Sequence, residues 1–156
     1  MSARSIDLAR LILCLGTYVT GVAPAHAGLG GDAASVLSDA AELQGVVQSA
    51  SRPLYDVQEI NADPGMRVRE FLNRDGIVFA VSWAGPAMPD LQRLLGAHFP
   101  AYTAALAALT HPGLHRTVRV SATGLVVESG GHLRAYSGRA YLPALIPAGV
   151  SGADLR

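Results

Sequence analysis

The segment MRVREFLNRDGIVFAVSW, residues 66–83, decides the predicted fold because it contains two strand patterns joined by a turn signal. Met66–Asn73 and Ile77–Trp83 are rich in β-branched and aromatic residues that alternate with polar ones. Asp75-Gly76 between them is typical of a two-residue hairpin loop, whose backbone twist suits antiparallel strands. The segment therefore predicts an antiparallel hairpin.

The length of this loop fixes the pairing of the two strands and therefore the composition of each face. With Asp75-Gly76 as the whole loop, Leu72 lies opposite Phe79 and Val68 lies opposite Trp83. Apolar residues then dominate one face, which we expect to pack in the core: Val68, Leu72, Phe79, Val81 and Trp83. The opposite face should be wetter, since it carries Arg67, Arg69 and Ser82.

Glu70 is the one charged residue on the predicted core face, opposite Val81. One interpretation is a buried acid whose pKa is raised and which pairs with an arginine such as Arg134 or Arg139. The other is a residue at the margin of the sheet whose carboxylate reaches water. The first interpretation makes Glu70 a candidate functional residue.

A further strand precedes the hairpin. Leu54–Ile60 has the strand pattern, and the turn signal Asp63-Pro64-Gly65 joins it to Met66, which completes a three-stranded meander. Ser49–Pro53, just before this strand, is typical of a linker.

Two helical segments are also predicted. Asp32 or Ser35 can cap a short helix that runs to about Gly45. Apolar residues recur at helical spacing over Leu91–Leu109. Pro100 interrupts this second pattern, so we expect either a kink or two short helices.

The second half of the chain predicts more strands. Thr117–Ser121 is one, Leu125–Glu128 and Leu133–Ser137 form a hairpin around Gly130-Gly131, and Arg139–Leu142 continues as strand or turn. We therefore predict an α+β fold. It consists of an antiparallel β-meander plus a later β-hairpin in one sheet, packed by a Pro-interrupted helix, with an N-terminal signal segment and a short helix.

The chain divides into four parts on this basis. Residues 1–27 are a signal peptide, and residues 28–53 form an N-terminal lead and short helix. Residues 54–150 form a single α+β domain, and residues 151–156 are a C-terminal tail.

The first 27 residues are typical of an export signal. Arg4 and Arg10 give a positive start, and the apolar run Leu11–Val22 is too short to span a bilayer comfortably. Pro24-Ala25-His26-Ala27 ends in a small-x-small cleavage site, although an uncleaved anchor is the alternative. We expect Sec-type export to the periplasm or the outside, with no stable membrane span after signal cleavage. The only cysteine, Cys14, leaves with the signal.

Composition excludes some classes of function. The chain has 12 Lys plus Arg and 12 Asp plus Glu, and this neutral balance argues against a nucleic-acid partner. No nucleophile elbow, phosphate loop or dinucleotide fingerprint is present. His111 and His115 have a zinc-like spacing, but Pro112-Gly113 between them opposes the helix that such a site needs. We therefore expect no metal and no cofactor.

The hairpin around Gly130-Gly131 holds the densest group of functional side chains. If the two glycines are the whole loop, Ser129 faces His132 and Glu128 points to the opposite face. If the loop also includes Ser129, Glu128 faces His132 directly, and Arg134 lies on the same face. A carboxylate can orient an imidazole and raise its basicity, as a general base requires. A surface ion pair is the alternative interpretation.

Two sets of candidate residues follow from these patterns. The catalytic candidates are His132, Glu128 and Glu70. The binding candidates carry guanidinium or phenol groups, which are favoured at binding hot spots: Arg134, Arg139, Tyr136 and Tyr141.

Several short strings after the predicted signal are distinctive. They are GLGG (28–31), VFAVSWAGP (78–86) with PDL (89–91), LLG (94–96) with Phe99, and GGHLR (130–134) running into GRA (138–140). In these strings, and over nearly the whole mature chain, the protein resembles a family of short exported bacterial proteins designated DUF2844, a domain of unknown function. The resemblance implies export and a single domain, and it implies no activity, cofactor or catalytic residue.

The leading functional hypothesis is a non-catalytic periplasmic or secreted binding module, whose partner is an envelope protein or a small ligand. The first alternative is a small hydrolase or lyase that uses His132 with Glu128 or Glu70. That alternative requires the imidazole to lie within hydrogen-bond reach of a carboxylate and to open into a pocket. The second alternative is a structural role in envelope assembly.

Overall fold

A computed structural model describes residues 28–109 and 117–156. The predicted signal peptide and the His111–His115 pair lie outside these residues. The strands are β1 (Val46–Ser51), β2 (Asp56–Ala62), β3 (Met66–Leu72), β4 (Val78–Gly85), β5 (Thr117–Ala122), β6 (Leu125–His132) and β7 (Ala135–Tyr141). They form one antiparallel sheet in the order β1-β2-β3-β4-β7-β6-β5. The predicted α+β fold, with the meander and the later hairpin in one sheet, is confirmed.

The helices are α1 (Ala33–Glu42), α2 (Leu91–Leu95) and α3 (Phe99–Ala107), with a 3₁₀ turn at Gly96–His98. Asp32, one of the two predicted caps, accepts hydrogen bonds from the first backbone N–H groups of α1. The predicted helical region is two short helices, because Gly96 ends α2 with a positive φ of 50°. Pro100 lies in the first turn of α3, where its missing N–H has no cost.

The two faces of the sheet are covered differently. The face that packs against the helices, here called the helix face, holds most of the core. Its fully buried residues include Ile60, Val68, Val81 and Val127. The opposite face, here called the outer face, is covered in part by residues that follow β7. Among them, Ile146, Val150 and Leu155 pack against Phe71 and Phe79.

The loop between β3 and β4 is one residue longer than predicted. Asn73 N–H donates to the Ile77 carbonyl at 2.9 Å, which leaves Arg74-Asp75-Gly76 as the loop. The Asn73 side chain stabilises this wider turn, because its Oδ1 accepts from the N–H groups of Asp75 and Ile77 at 3.0 Å each. Leu72 consequently pairs with Val78 rather than with Phe79.

A β-bulge restores the predicted pairing of β3 with β4 two residues before Leu72. The pairing shifts between Phe71 and Leu72, so that Glu70 lies opposite Val81 as the sequence predicted. The predicted position of Phe79 on the core face with Val81 was wrong, because the bulge turns its ring to the outer face. There it packs edge-on against Tyr55, with ring centroids 6.0 Å apart.

The predicted linker Ser49–Pro53 was also wrong in its first three residues. Val46–Ser51 form β1, which pairs along its whole length with β2. β1 is an edge strand whose side chains are mostly exposed, so it lacks the apolar alternation that identifies a half-buried strand. Leu54 and Tyr55, which the sequence placed in a strand, lie in the turn before β2.

The later hairpin turns at Leu133-Arg134, not at Gly130-Gly131. Both predicted registers were therefore wrong, and His132 lies opposite Ala135. Both glycines lie within β6, and a steric reason explains the one at position 131. Gly131 has a φ of 137°, and a Cβ there would lie 2.2 Å from the Ala135 carbonyl oxygen.

Within the described ranges, no helix combines the length and the apolar character that a bilayer crossing requires.

Gly138 provides the room for the single tryptophan. It lies opposite Trp83 in the pairing of β4 with β7, and a Cβ on Gly138 would lie 2.3 Å from the indole Cζ2. Trp83 itself is 2% exposed, so the indole has little room to move away. The glycine is thus required by packing rather than by backbone conformation.

We expect Gly138→Ala to lower the free energy of unfolding by about 1–3 kcal/mol, because it overpacks the core at Trp83. Urea unfolding monitored by fluorescence and circular dichroism measures this effect. Ser137→Ala, one residue away on the outer face, is the matched control and should change stability by less than about 0.5 kcal/mol. Adding Trp83→Phe should recover part of the loss; strictly additive effects in this double-mutant cycle would contradict the proposed clash.

Candidate anion-binding site

Side chains on the outer face form rows across the sheet, because directly paired residues on neighbouring strands point to the same side. The apolar row consists of Val57, Phe71, Ala80, Tyr141 and Val126. The charged row consists of Glu59, Arg69, Ser82, Arg139, Glu128 and Arg119. The small row consists of Ala84, Ser137, Gly130 and Thr117, with Arg67 at its β3 end.

The C-terminal segment, Ser151–Arg156, lies along the boundary between the apolar and charged rows. Leu155 is fully buried against the apolar row. Two arginines of the charged row hold the segment by its backbone. Arg69 Nη1 donates to the Arg156 carbonyl at 2.6 Å, and Arg139 Nη1 donates to the Gly152 carbonyl. The apolar row is therefore covered, and the small row is left open.

Ion pairs fix the arginines of the charged row. Arg139 donates to Glu128 Oε2 through Nε at 2.7 Å and through Nη2. Arg119 Nη1 lies 2.7 Å from Glu128 Oε1, so that Glu128 bridges two guanidinium groups. Arg69 Nε donates to Glu59 at 2.5 Å. Partial burial raises the pKa of Glu59, but hydrogen bonds from Arg69 and Asn61 outweigh this effect and hold it below its ordinary value.

A cavity of about 540 Å³ opens over the small row beside the C-terminal segment. We call it the arginine groove, because four guanidinium groups and one carboxylate line it: Arg67, Arg69, Arg139, Arg156 and Glu128. Small side chains make the floor, so the groove is deep enough to hold a ligand. Arginine presents five N–H donors in a planar fork that matches carboxylates and phosphates. The groove therefore offers an excess of positive charge to an anion.

Two arginines of the groove, Arg67 and Arg156, are held less firmly than Arg69 and Arg139. Arg67 is 53% exposed, and its nearest carboxylate, on Glu59, lies at 3.6 Å. Arg156 is exposed and is held through its carbonyl rather than through its guanidinium. Because Arg67 makes only a long ion pair with Glu59 and Arg156 is exposed, these two side chains can turn toward an incoming anion, while Arg69 and Arg139 add fixed positive charge beneath them.

The structure separates most of the residues that the sequence grouped together. His132 and Arg134 are exposed at the hairpin turn, where His132 Nδ1 contacts only the Leu133 carbonyl at 3.3 Å among the described residues. Tyr136 lies half-buried on the helix-face side of β7, and Tyr141 belongs to the apolar row. Arg139 alone of the predicted binding residues lines the groove.

The predicted pairing of Glu128 with His132 is not formed. Glu128 lies opposite Arg139, because the hairpin turns later than predicted. Arg67, Arg69 and Ser82 were predicted as a wetter face but not as part of a site. The alternation in β3 was the signal for that face. The pairing of β4 with β7 brings it beside Arg139, and no local pattern shows this pairing.

Glu70 is fully buried on the helix face and meets Asp39 of α1, which is also fully buried. Burial, together with the hydrogen bond and charge of Asp39, raises the pKa of Glu70 to about 9. Burial also raises the pKa of Asp39, against hydrogen bonds from Glu70 and Arg93 that lower it. Arg93 Nε donates to Asp39 Oδ1 at 3.0 Å. The partner of Glu70 is thus Asp39, not Arg134 or Arg139 as the sequence suggested.

A shared proton satisfies this pair. No donor from the described residues reaches Asp39 Oδ2 or either Glu70 oxygen. Two facing carboxyl groups hydrogen-bond only when one is protonated, and the raised pKa assigns the proton to Glu70. Glu70 then donates to Asp39, whose charge Arg93 neutralises. The described residues contain no cluster of three or more side chains that would bind a metal ion.

The fold and site define a small α+β protein with one antiparallel sheet, helices on one face and an arginine-lined groove on the other. The chain matches the family model "Protein of unknown function (DUF2844)" over residues 25–155, and it therefore belongs to this family. No curated protein and no solved structure matches it.

We expect Glu70→Gln to flatten the dependence of stability on pH. The pKa of this carboxyl rises from 4.5, the ordinary value that applies in the unfolded chain, to about 9 in the folded protein. Between these pH values the folded protein holds a proton that the unfolded chain has released. The contribution of Glu70 to stability is therefore fully present below the lower value and falls as pH rises toward the upper one, by about 1.4 kcal/mol per pH unit for one proton.

Urea unfolding at about pH 5, 7 and 8.5 measures this slope. Gln keeps an N–H donor for Asp39 and has no proton to lose, so the variant should be the more stable protein at the highest pH. Asp75→Asn, in the exposed loop between β3 and β4 and away from this pair, is the control and should keep the wild-type slope. Parallel curves for wild type and Glu70→Gln would contradict a protonated Glu70.

Proposed function

We propose that this protein is an exported, non-catalytic binding module whose ligand is an anion held in the arginine groove. The observation that carries the proposal is the imbalance of side-chain charge in the groove, where the guanidinium groups of four arginines face one carboxylate side chain, that of Glu128. This imbalance is local, since the whole chain has a formal net charge of zero. Positive charge has been concentrated at one cavity, which is the arrangement that attracts and orients an anionic ligand.

Preorganisation supports binding at this place. Glu59 and Glu128 hold Arg69 and Arg139 in fixed positions before any ligand arrives. A ligand therefore meets charge that is already placed, and the entropy cost of ordering these two long side chains has been met during folding. Arg67 and Arg156, which are more exposed, supply the donors that complete the contact.

Export is part of the proposal because of the N-terminal sequence. The short apolar run and the Ala25-His26-Ala27 site are typical of a Sec-type signal, which would deliver the mature chain to the periplasm or the outside. The mature chain has no cysteine, so an oxidising compartment leaves it unchanged. An envelope component or a small solute that carries carboxylate or phosphate groups is the kind of ligand such a module would meet.

The geometry favours binding over the hydrolase or lyase hypothesis. That hypothesis needs His132 beside Glu128 or Glu70. Glu128 is engaged by Arg119 and Arg139, and Glu70 lies on the helix face with Asp39. His132 is exposed at the hairpin turn and is not among the residues that line the groove.

Isothermal titration of the purified protein with citrate and with galacturonate tests the proposal. We expect Arg67→Gln to weaken binding about tenfold, since a charge-assisted hydrogen bond contributes about 1.5–3 kcal/mol. Arg134→Gln removes the same charge from an exposed position outside the groove and should leave affinity unchanged. Binding should also weaken as salt is raised.

Arg139 is a poor choice for the test, although the sequence suggested it. Its side chain is 17% exposed, and its guanidinium binds both Glu128 and the C-terminal segment, so Arg139→Ala should lower stability as well as binding. Equal losses of affinity in Arg67→Gln and Arg134→Gln would contradict the groove. If neither citrate nor galacturonate binds detectably, the proposed function is wrong.

A further inference from the structure

One edge of the sheet lacks the features that usually protect an exposed strand. β1 pairs along its whole length with β2, and no strand of the described residues pairs with its other side. Its sequence, VVQSAS, contains no charged residue and no proline, which are the common devices that keep an edge from pairing. The N–H and C=O groups along the outer side of β1 are therefore available to a further strand.

The opposite edge of the sheet is protected by charge. β5 carries Arg119 near its middle, where the side chain is 64% exposed and forms an ion pair with Glu128. Two β5 strands paired about a two-fold axis would bring two of these guanidinium groups close together. Like charges that face each other across paired strands are destabilising. An added strand is therefore favoured at β1 rather than at β5.

α1, which precedes β1, presents an exposed apolar surface toward the same edge. Arg93 of α2 binds α1 on one side, through Asp39. Leu37 lies on the opposite side, where it is 65% exposed between Ala33 and Ala41 at helical spacing. α2 contacts α3, which packs against β5 and β6, whereas α1 packs against β1. The side of α1 that points away from α2 therefore points toward the β1 edge.

A tight connection holds α1 and β1 together as one surface. Leu43, Gln44 and Gly45 join them, and the Gly45 N–H donates to the Ala40 carbonyl at 2.9 Å. Gly45 packs so closely on Ile60 that a Cβ there would lie 2.6 Å from the Ile60 Cγ2 atom. The strand edge and the apolar side of α1 are consequently presented together.

This surface is complementary to itself about a two-fold axis perpendicular to the sheet. Directly opposite residues of antiparallel strands point to the same face, so either Ser49 or Gln48 can lie on the axis, facing the same residue of a second copy. Arg52, the first charged residue after β1, then faces the uncharged Val46 or Gln44, respectively. Like charges are kept apart along the edge, and the two α1 helices meet through their apolar sides.

We propose that two copies of this chain associate through β1 and α1, so that their sheets join into one continuous antiparallel sheet. The strand spans about 20 Å, and the sheet with α1 packed on it is roughly 20 Å thick, so each copy buries on the order of 400–500 Å². An interface of this size is typical of a reversible association. The two-fold axis leaves both arginine grooves on the same face of the joined sheet, although the association does not depend on anion binding.

Sedimentation velocity of the purified protein over a range of concentrations tests the proposal. We expect a dimer that dissociates on dilution. Gln48→Lys places like charges near the axis and Leu37→Glu places them between the helices, so each should weaken the dimer about tenfold or more. The matched controls are Ser121→Lys on the exposed edge of β5 and Leu133→Glu at the hairpin turn, and both should leave the dimer unchanged. Circular dichroism melts confirm that each variant is folded.

A single added cysteine identifies the register. Cys14, the only cysteine, lies in the predicted signal peptide, so an added thiol has no other thiol to react with in the mature chain. Under oxidising conditions Ser49→Cys should form a disulfide between two copies if this residue lies on the axis, and Gln48→Cys should do so in the alternative register. Ser121→Cys, on β5, should remain reduced in both cases.

A protein that sediments as a monomer at every concentration would overturn the proposal and leave the β1 edge open to a strand of another protein. A dimer that neither Gln48→Lys nor Leu37→Glu weakens has a different interface, which would overturn it as well. Titration with citrate separates this inference from the proposed function. A monomer that binds citrate refutes the dimer alone, and a dimer that binds no anion refutes the proposed function alone.

Discussion

The register of β4 against its two neighbours is the constraint on which the rest of this structure depends. β4 is central, paired with β3 on one side and β7 on the other. A slip of one residue in β4 would place Ser82 and Ala84 on the helix face in place of Val81 and Trp83, since alternate side chains face opposite sides. The hydrophobic cost of such a slip keeps Arg69 and Arg139 together on the outer face. The site is thus positioned by the core.

Charged side chains are neutralised differently on the two faces of the sheet. On the outer face, carboxylates pair with arginines that remain partly exposed, as in the 2.7 Å contact between Glu128 and Arg119. Pairs of this kind contribute little to stability, so their main effect is to fix where the positive charge lies. On the helix face, Glu70 meets Asp39 rather than an arginine among the described residues, and it is neutralised by a proton that it shares with Asp39. The helix face is buried under the helices and leaves no room for a ligand around Glu70, whereas the arginine groove on the outer face remains open.

Local sequence patterns predicted the elements of the fold well. The alternation in Met66–Asn73, the cap at Asp32 and the break in the helical region all correspond to observed features. Each depends on residues close in the chain, where backbone sterics and side-chain spacing dominate. β1 was missed because an exposed edge strand carries no apolar alternation, and the turn at Asn73 was missed because a side-chain hydrogen bond widened it.

The site was less predictable than the fold, because it depends on pairings between distant parts of the chain. Arg139 was predicted as a binding residue, and Arg69 lay on a face predicted to be wet. Neither observation places the two arginines in one row, which requires the pairing of β4 with β7. The glycines of β6 misled the prediction further, since a Gly-Gly pair is typical of a turn, and here Gly131 instead allows a close approach of two strands.

Backbone amide chemical shifts during a titration with citrate test the central claim, that the arginine groove binds an anion, most directly. The account predicts that the largest shifts occur across the charged and small rows, at residues such as Arg67, Ala84 and Ser137. Residues at the hairpin turn, His132–Arg134, should shift little. Shifts confined to that turn, or spread evenly over the helix face, would contradict a binding site on the outer face of the sheet.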